Sequence, residues 1–164
     1  MLTIAALTQH FHQPGTITWI GIRPVRSAAI DVVDAIEVTP FGAITGDRYK
    51  SRYGKRQVTL IQAEHLSAIA SILGITAVDP ALLRRNIAVK GINLLALKGK
   101  QFSIGSAILE FTGLCHPCSR MEEVFGEGGY NAVRGHGGIT ASVVSQGIIA
   151  VGDSVEACQF EKNL

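Results

Sequence analysis

Two thiols in the run Cys115-His116-Pro117-Cys118 are the residues of this chain best suited to chemistry. Cysteine works as a nucleophile or metal ligand through its thiolate, and the C-x-x-C spacing suits one metal ion or one disulfide. His116 and Arg120 set cationic groups beside them, which favours the thiolate. Four readings stay open. A structural zinc site needs four ligands, and the sequence adds only Cys158 and the scattered His10, His12, His65 and His136, so no zinc is expected. A thioredoxin-like redox pair belongs at a helix start in a βαβ unit, whereas this loop follows a β-hairpin pattern. A single thiolate, acting as nucleophile or as ligand to a soft transition metal, needs no further cysteine. Two inert, buried cysteines are the fourth reading.

Three other stretches could supply a site around that loop. Residues 46–56 carry five of the fifteen basic side chains, with Arg48 at their head and Tyr49 and Tyr53 available to stack on a flat ring. They read either as a solvated surface loop or as a cationic rim for an anionic ligand. Arg84, Arg85 and Asn86 lie at a helix-to-strand junction, where a guanidinium fork and an amide suit a phosphate or a heterocycle. The bland alternative is that one arginine lies along the surface and the other pairs with a carboxylate. Arg134 opens the glycine-rich run Gly135-His136-Gly137-Gly138, whose backbone could approach an anion closely or merely turn the chain.

The elements that must position these residues are mostly strands. Gly15–Ile22 alternates polar and apolar residues, and Asp31–Val38 reads as a second strand. Val58–Ile61 is a short strand running straight into a helix, in which Leu66, Ile69, Ala70 and Leu73 form one apolar face and Gly74 marks the stop. Asp79-Pro80 caps a short helix through Arg85, and Asn86–Val89 follows as a strand. Gln101–Ile104 and Ala107–Thr112 form a hairpin about Gly105-Ser106 that delivers the chain into the cysteine loop. Met121–Phe125 is a helical turn stopped by the glycines of 126–129. Residues 139–144 and 147–151 read as a β pair across Ser145-Gln146, and 154–158 as a last strand. Short strands with glycine turns predict a β-rich α+β fold: a small closed barrel with one main helix and a few short ones.

A chain of 164 residues suits one domain, expected over 1–164. A net charge of +2 gives no reason to expect nucleic acid, and any anion must be met by a local cluster. The N-terminus makes a poor signal peptide, and apolar runs are too short for a membrane span. Three cysteines argue against a secreted disulfide framework, so a cytoplasmic setting is expected.

In order along the chain, Thr45-Gly46-Asp47-Arg48, Arg56-Gln57-Val58-Thr59-Leu60-Ile61 and Leu83-Arg84-Arg85-Asn86-Ile87 resemble the MOSC domain, named for the molybdenum-cofactor sulfurase C-terminus. Gly91–Leu94, Ile104–Ala107, Pro117-Cys118 and Val151–Val155 continue the resemblance, which covers about residues 15–155. It implies a β-barrel that binds the molybdenum cofactor (molybdopterin), with a family-level association with pyridoxal phosphate. It also implies that Cys118 is the catalytic thiol and the ligand to molybdenum, or the carrier of a sulfur atom. Arg84 and Asn86 match an Arg-x-Asn beside the cofactor in members that reduce N-hydroxylated compounds, and Arg48 and Arg134 would help hold the pterin and phosphate. Many small stand-alone members carry histidine where this chain has Tyr49. The expected function is an oxidoreductase acting on small N-oxygenated molecules, with a redox partner. The alternative is a sulfur carrier or cofactor-delivery module with a persulfide on Cys118, fed by a sulfur-donor protein.

Overall fold

The computed structural model of the protein describes residues 1–159; the last five residues of the domain expected over 1–164 lie outside that range. A single exposed helical turn, α1 (Ile4–Leu7), is capped by the Thr3 hydroxyl, which accepts from the Ala6 amide. Strand β1 (Gly15–Ile22) forms where the alternation places it. Its ladder shifts register between Ile17 and Trp19, and this bulge lets Ile17 and Ile20, three residues apart, both point inward.

The second strand is two strands. Asp31 and Val32 form β2 on the edge of β1, and the chain then leaves to make β3 (Ala35–Thr39), paired with β4 (Ala43–Ile44). β5 (Val58–Gln62) leads into α2 (Ala63–Leu73), which ends as expected on Gly74 in a left-handed conformation. The cap at Asp79 also forms, its carboxylate accepting from the Ala81 amide, but the helix it starts is one 3-10 turn over Pro80–Leu83. β6 (Ile87–Lys90) follows, then a second 3-10 turn at Leu94–Leu97. β7 (Gln101–Ile104) and β8 (Ala107–Leu114) form the predicted hairpin. α3 (Arg120–Phe125) is the expected helical turn, but the glycines after it open a further short helix, α4 (Gly129–Val133). Gly128, in a left-handed conformation, redirects the chain there rather than ending helical structure.

β9 (Ile139–Ser145) and β10 (Gly147–Ala150) correct the sequence reading most clearly. They do not pair with each other: β9 lies between β8 and β5, whereas β10 pairs with β3 in a separate three-stranded sheet. The chain crosses from one sheet to the other at Gly147, where a Cβ would sit 2.5 Å from the Ala107 amide nitrogen. With β11 (Ser154–Ala157), the larger sheet runs β11-β7-β8-β9-β5-β6-β1 and closes on itself through β11 and β1. The result is a closed, seven-stranded mixed barrel, in which only β5 and β6 run parallel; α2 and the Pro80 turn make the crossover a parallel pair requires.

Two apolar clusters follow from this closure. Leu60, Ile87, Phe102, Ile104, Leu109, Ile139 and Val155 fill the barrel. Ile61, Ala88 and Leu83 face outward onto α2, α3 and α4 through Ile69, Met121 and Val133. β5 is buried on both faces, which explains its unbroken Val-Thr-Leu-Ile.

Candidate functional site

The cysteine loop hangs between β8 and α3. At its start the Cys115 amide donates to the Gly138 carbonyl at 2.8 Å, and at its end the Met121 amide donates to the Cys118 carbonyl at 3.0 Å. Cys115 is buried and Cys118 is exposed, so the two thiols are not equivalent. Arg85 fixes the loop from beneath. Its Nε donates to the Gly137 carbonyl at 2.7 Å, its Nη1 to the Leu83 carbonyl at 2.6 Å, and its Nη2 to the Cys115 carbonyl at 3.5 Å. One buried guanidinium thus ties three separate segments. Burial pushes its pKa down, and Cys115 and Cys118 push it back up, so both cysteines lie within electrostatic reach of a buried cation. Gly137 is required here, because a Cβ would stand 2.1 Å from the Cys115 carbonyl oxygen.

A second group of cations converges nearby. Arg84 sits at φ 54°, a strained left-handed conformation for a residue with a side chain, at the end of the Pro80 turn. Its Nη1 donates to the Ala28 carbonyl, while its Nη2 is buried without a hydrogen-bond partner. Burial lowers the Arg84 pKa, then Arg120, Arg23 and Arg48 lower it further, and Asp47 opposes them. Arg120, two residues past Cys118, likewise has a buried Nε with no partner. Buried donors are satisfied in the great majority of cases. Arg84 thus lies within electrostatic reach of three further guanidinium groups and of the Asp47 carboxylate, and two of the four arginines hold an unused buried donor, a set of groups suited to an anion.

The single carboxylate is already committed. Asp47 is 1% exposed and accepts from the Arg23 amide, Arg23 Nε, Arg23 Nη2, the Tyr49 amide and Asn86 Nδ2. Burial alone would raise its carboxyl pKa, but the Arg23 guanidinium and amide hold it below its ordinary value.

Of the residues singled out from sequence, Arg84 and Arg48 lie within electrostatic reach of one another, and Cys118 lies within reach of Arg85. Asn86 is fully buried. Its Oδ1 accepts from the Thr59 amide and hydroxyl, and its Nδ2 donates to Gly21 O at 3.2 Å and Asp47 Oδ1 at 3.3 Å, so all four of its hydrogen-bonding positions are used inside the protein. Arg134 is exposed at the end of α4. The basic segment divides: Arg48, also exposed, acts on Arg84, whereas Arg52 stacks on Phe41 and Tyr53 at 5.1 and 5.5 Å. Gln57 ties the segment down, donating to the Pro40 and Ser51 carbonyls and accepting from the Val143 amide.

Arg23 was legible only as the end of a strand, and Arg85 only as a neighbour of Arg84. The one local signal for Arg120 was its distance of two residues from Cys118. Among the described residues no three His, Cys, Asp or Glu side chains group as a metal site, and no helix is long and apolar enough to cross a membrane.

The sequence profile of the MOSC domain matches residues 30–156. This chain therefore belongs to the MOSC domain family, a family associated with binding the molybdenum cofactor. Among solved structures it is similar to the YuaD protein of Bacillus subtilis, at 21% identity over 91% of this chain and 98% of that one, with a TM-score of 0.76. It is also similar to YiiM from Geobacillus stearothermophilus (15% identity, 92% and 78% covered, TM-score 0.72) and YiiM from Escherichia coli (18%, 91% and 72%, TM-score 0.67). These likenesses show the fold. No curated protein sequence matches the chain.

Proposed function

We propose that this protein binds the molybdenum cofactor, with Cys118 as its ligand to molybdenum and Arg84, Arg120 and Arg48 as the receivers of its phosphate. The observation that carries this reading is the pair of orphaned buried donors, Arg84 Nη2 and Arg120 Nε, on arginines that act on one another, the second only two residues along the chain from an exposed thiol. The residues suit the group. A soft metal takes a thiolate, and a phosphate takes planar guanidinium forks. The cofactor, when bound, supplies redox chemistry at its metal.

The protein's part is binding and orientation. Arg85 holds the loop that presents Cys118, and Asn86 contributes indirectly, by fixing Asp47 and through it Arg23. The substrate class is a small N-oxygenated molecule reduced with electrons from a partner, in a reducing compartment. Exposure of Cys118 also supports a second reading, a sulfur carrier loaded by a donor protein.

Purification from a host that makes the cofactor separates the two. Stoichiometric molybdenum, lost in Cys118→Ser and strongly reduced in Arg84→Gln, supports the cofactor site. A persulfide on Cys118 without metal supports the carrier, and a protein with neither rules out both.

A further inference from the structure

A cleft lies apart from the arginines described above. It has a volume of about 200 Å³ and lies against the other part of the cysteine loop, where Cys115, His116 and Pro117 form one wall. Leu94, Leu95 and Leu114 supply its apolar surface, and Gln62, His65 and His116 its polar groups. No Asp, Glu, Lys or Arg side chain lines it among the described residues.

Three features define what would fit. First, its glycine wall is closely packed: a Cβ on Gly138 would lie 2.0 Å from the Leu60 carbonyl oxygen, and the Gly137 carbonyl is held by Arg85. Second, its volume falls below the roughly 300–1,000 Å³ of sites for drug-sized ligands, which leaves room for about one ring and a small substituent. Third, its polar side chains are one amide and two imidazoles, with no carboxylate, ammonium or guanidinium among them. Burial holds the His65 imidazole below its ordinary pKa, and His136, packed edge-to-face on it at 5.1 Å, acts in the same direction against Glu64. Gln62 Oε1 is engaged by the Leu94 amide at 3.2 Å, so its amide nitrogen remains to donate.

We propose that this cleft is a second ligand site, one that takes a small uncharged planar molecule: a single aromatic ring carrying an amide-like head. The ring packs against the leucines, while the head meets the Gln62 amide and the His65 imidazole. A carboxylate or ammonium head would be desolvated without a charged partner, so the cleft discriminates against both. The cleft shares the cysteine loop with the proposed cofactor site, but its argument does not use that reading.

Benzamide, benzoate and benzylamine, titrated calorimetrically into the cofactor-free protein, are the test. Benzamide should bind saturably and at least tenfold more tightly than the two charged compounds, and it should shift the ring resonances of His65. His65→Leu should weaken it about tenfold. Leu95→Trp, at a position 44% exposed and so harmless to the core, should fill the cleft and abolish saturable binding. Absence of saturable binding overturns the proposal, as does equal affinity for the charged compounds or affinity unchanged in both variants. Because no cofactor is present, none of these outcomes bears on molybdenum binding.

Discussion

Arg23 clamps Asp47 through both carboxylate oxygens, Nε to Oδ1 at 3.2 Å and Nη2 to Oδ2 at 2.9 Å, with the carboxylate wholly buried. The same Oδ1 takes Asn86 Nδ2 at 3.3 Å, so the loop after β4, the end of β1 and the start of β6 meet at one oxygen. Breaking a buried pair strands the remaining charge, at a cost on the order of 3–5 kcal/mol. Asp47→Ala should therefore lower unfolding free energy by about that amount in urea titration. Arg23 would also then join Arg84, Arg48 and Arg120 uncompensated. A loss below about 1 kcal/mol would show that water replaces the carboxylate's role.

The same carboxyl sets an acid limit. Its folded pKa is depressed, so it binds a proton more readily in the unfolded chain. Its contribution to stability is complete above the ordinary carboxylate value of about 4 and is lost as pH falls through the lower folded value. The urea midpoint of the native protein should fall steeply in that acid range. In the Asp47→Ala variant the fall should be visibly shallower.

The two thiols of the loop should differ in reactivity. Iodoacetamide on the native protein should label Cys118 first, while Cys115, only 4% exposed, should label only after denaturation. Mass spectrometry of the peptides reads this directly. Equal labelling in the native state would show that the loop opens on the timescale of the reaction.

Gly137→Ala tests how the loop is seated. A Cβ 2.1 Å from the Cys115 carbonyl oxygen must displace backbone rather than a flexible side chain. Overpacking of this kind costs about 1–3 kcal/mol, and it should also disturb the three carbonyl bonds of Arg85. The thermal midpoint should fall, and Cys115 should become labelled in the native protein.

Local chemistry made much of the fold legible. The alternation of Gly15–Ile22, the leucine and isoleucine face of α2 with Gly74 behind it, the Asp79 cap and the Gly105-Ser106 hairpin are all short-range signals, and each formed. Partner choice is not local. β9 and β10 follow one another with the pattern of a hairpin, yet each finds a better-buried partner elsewhere, β8 and β5 for one and β3 for the other. The run Gly126–Gly129 has the composition of a turn, but burial of Ala132 and Val133 against α2 holds α4 together.

The candidate site divides the same way. Cys118 and Arg84 could be read from residue type, spacing and resemblance. Arg23 lies 61 residues before Arg84, and nothing in its own neighbourhood announces that it will answer Asp47. Asn86 was legible as important but not as interior. Its four hydrogen bonds reach residues as far as 65 positions away.

The closure of the barrel gives its two sides different tolerances for motion. β11 meets β1 through two residue pairs, Gly15 with Val155 and Thr16 with Ser154, whereas β8 meets β9 through six. Around the ring, β9 is the strand farthest from that short seam, β5 and β8 lie on either side of it, and β6 stands between β5 and the seam strand β1. Those strands carry Thr59, lead out of Asn86 and feed the cysteine loop. Fraying at the seam, the cheapest local opening this barrel offers, would thus expose edge amides at Gly15 and Thr16 to exchange while leaving the β8–β9 ladder that feeds the cysteine loop in register. The molecule can be loose at its join and stiff where its charges converge.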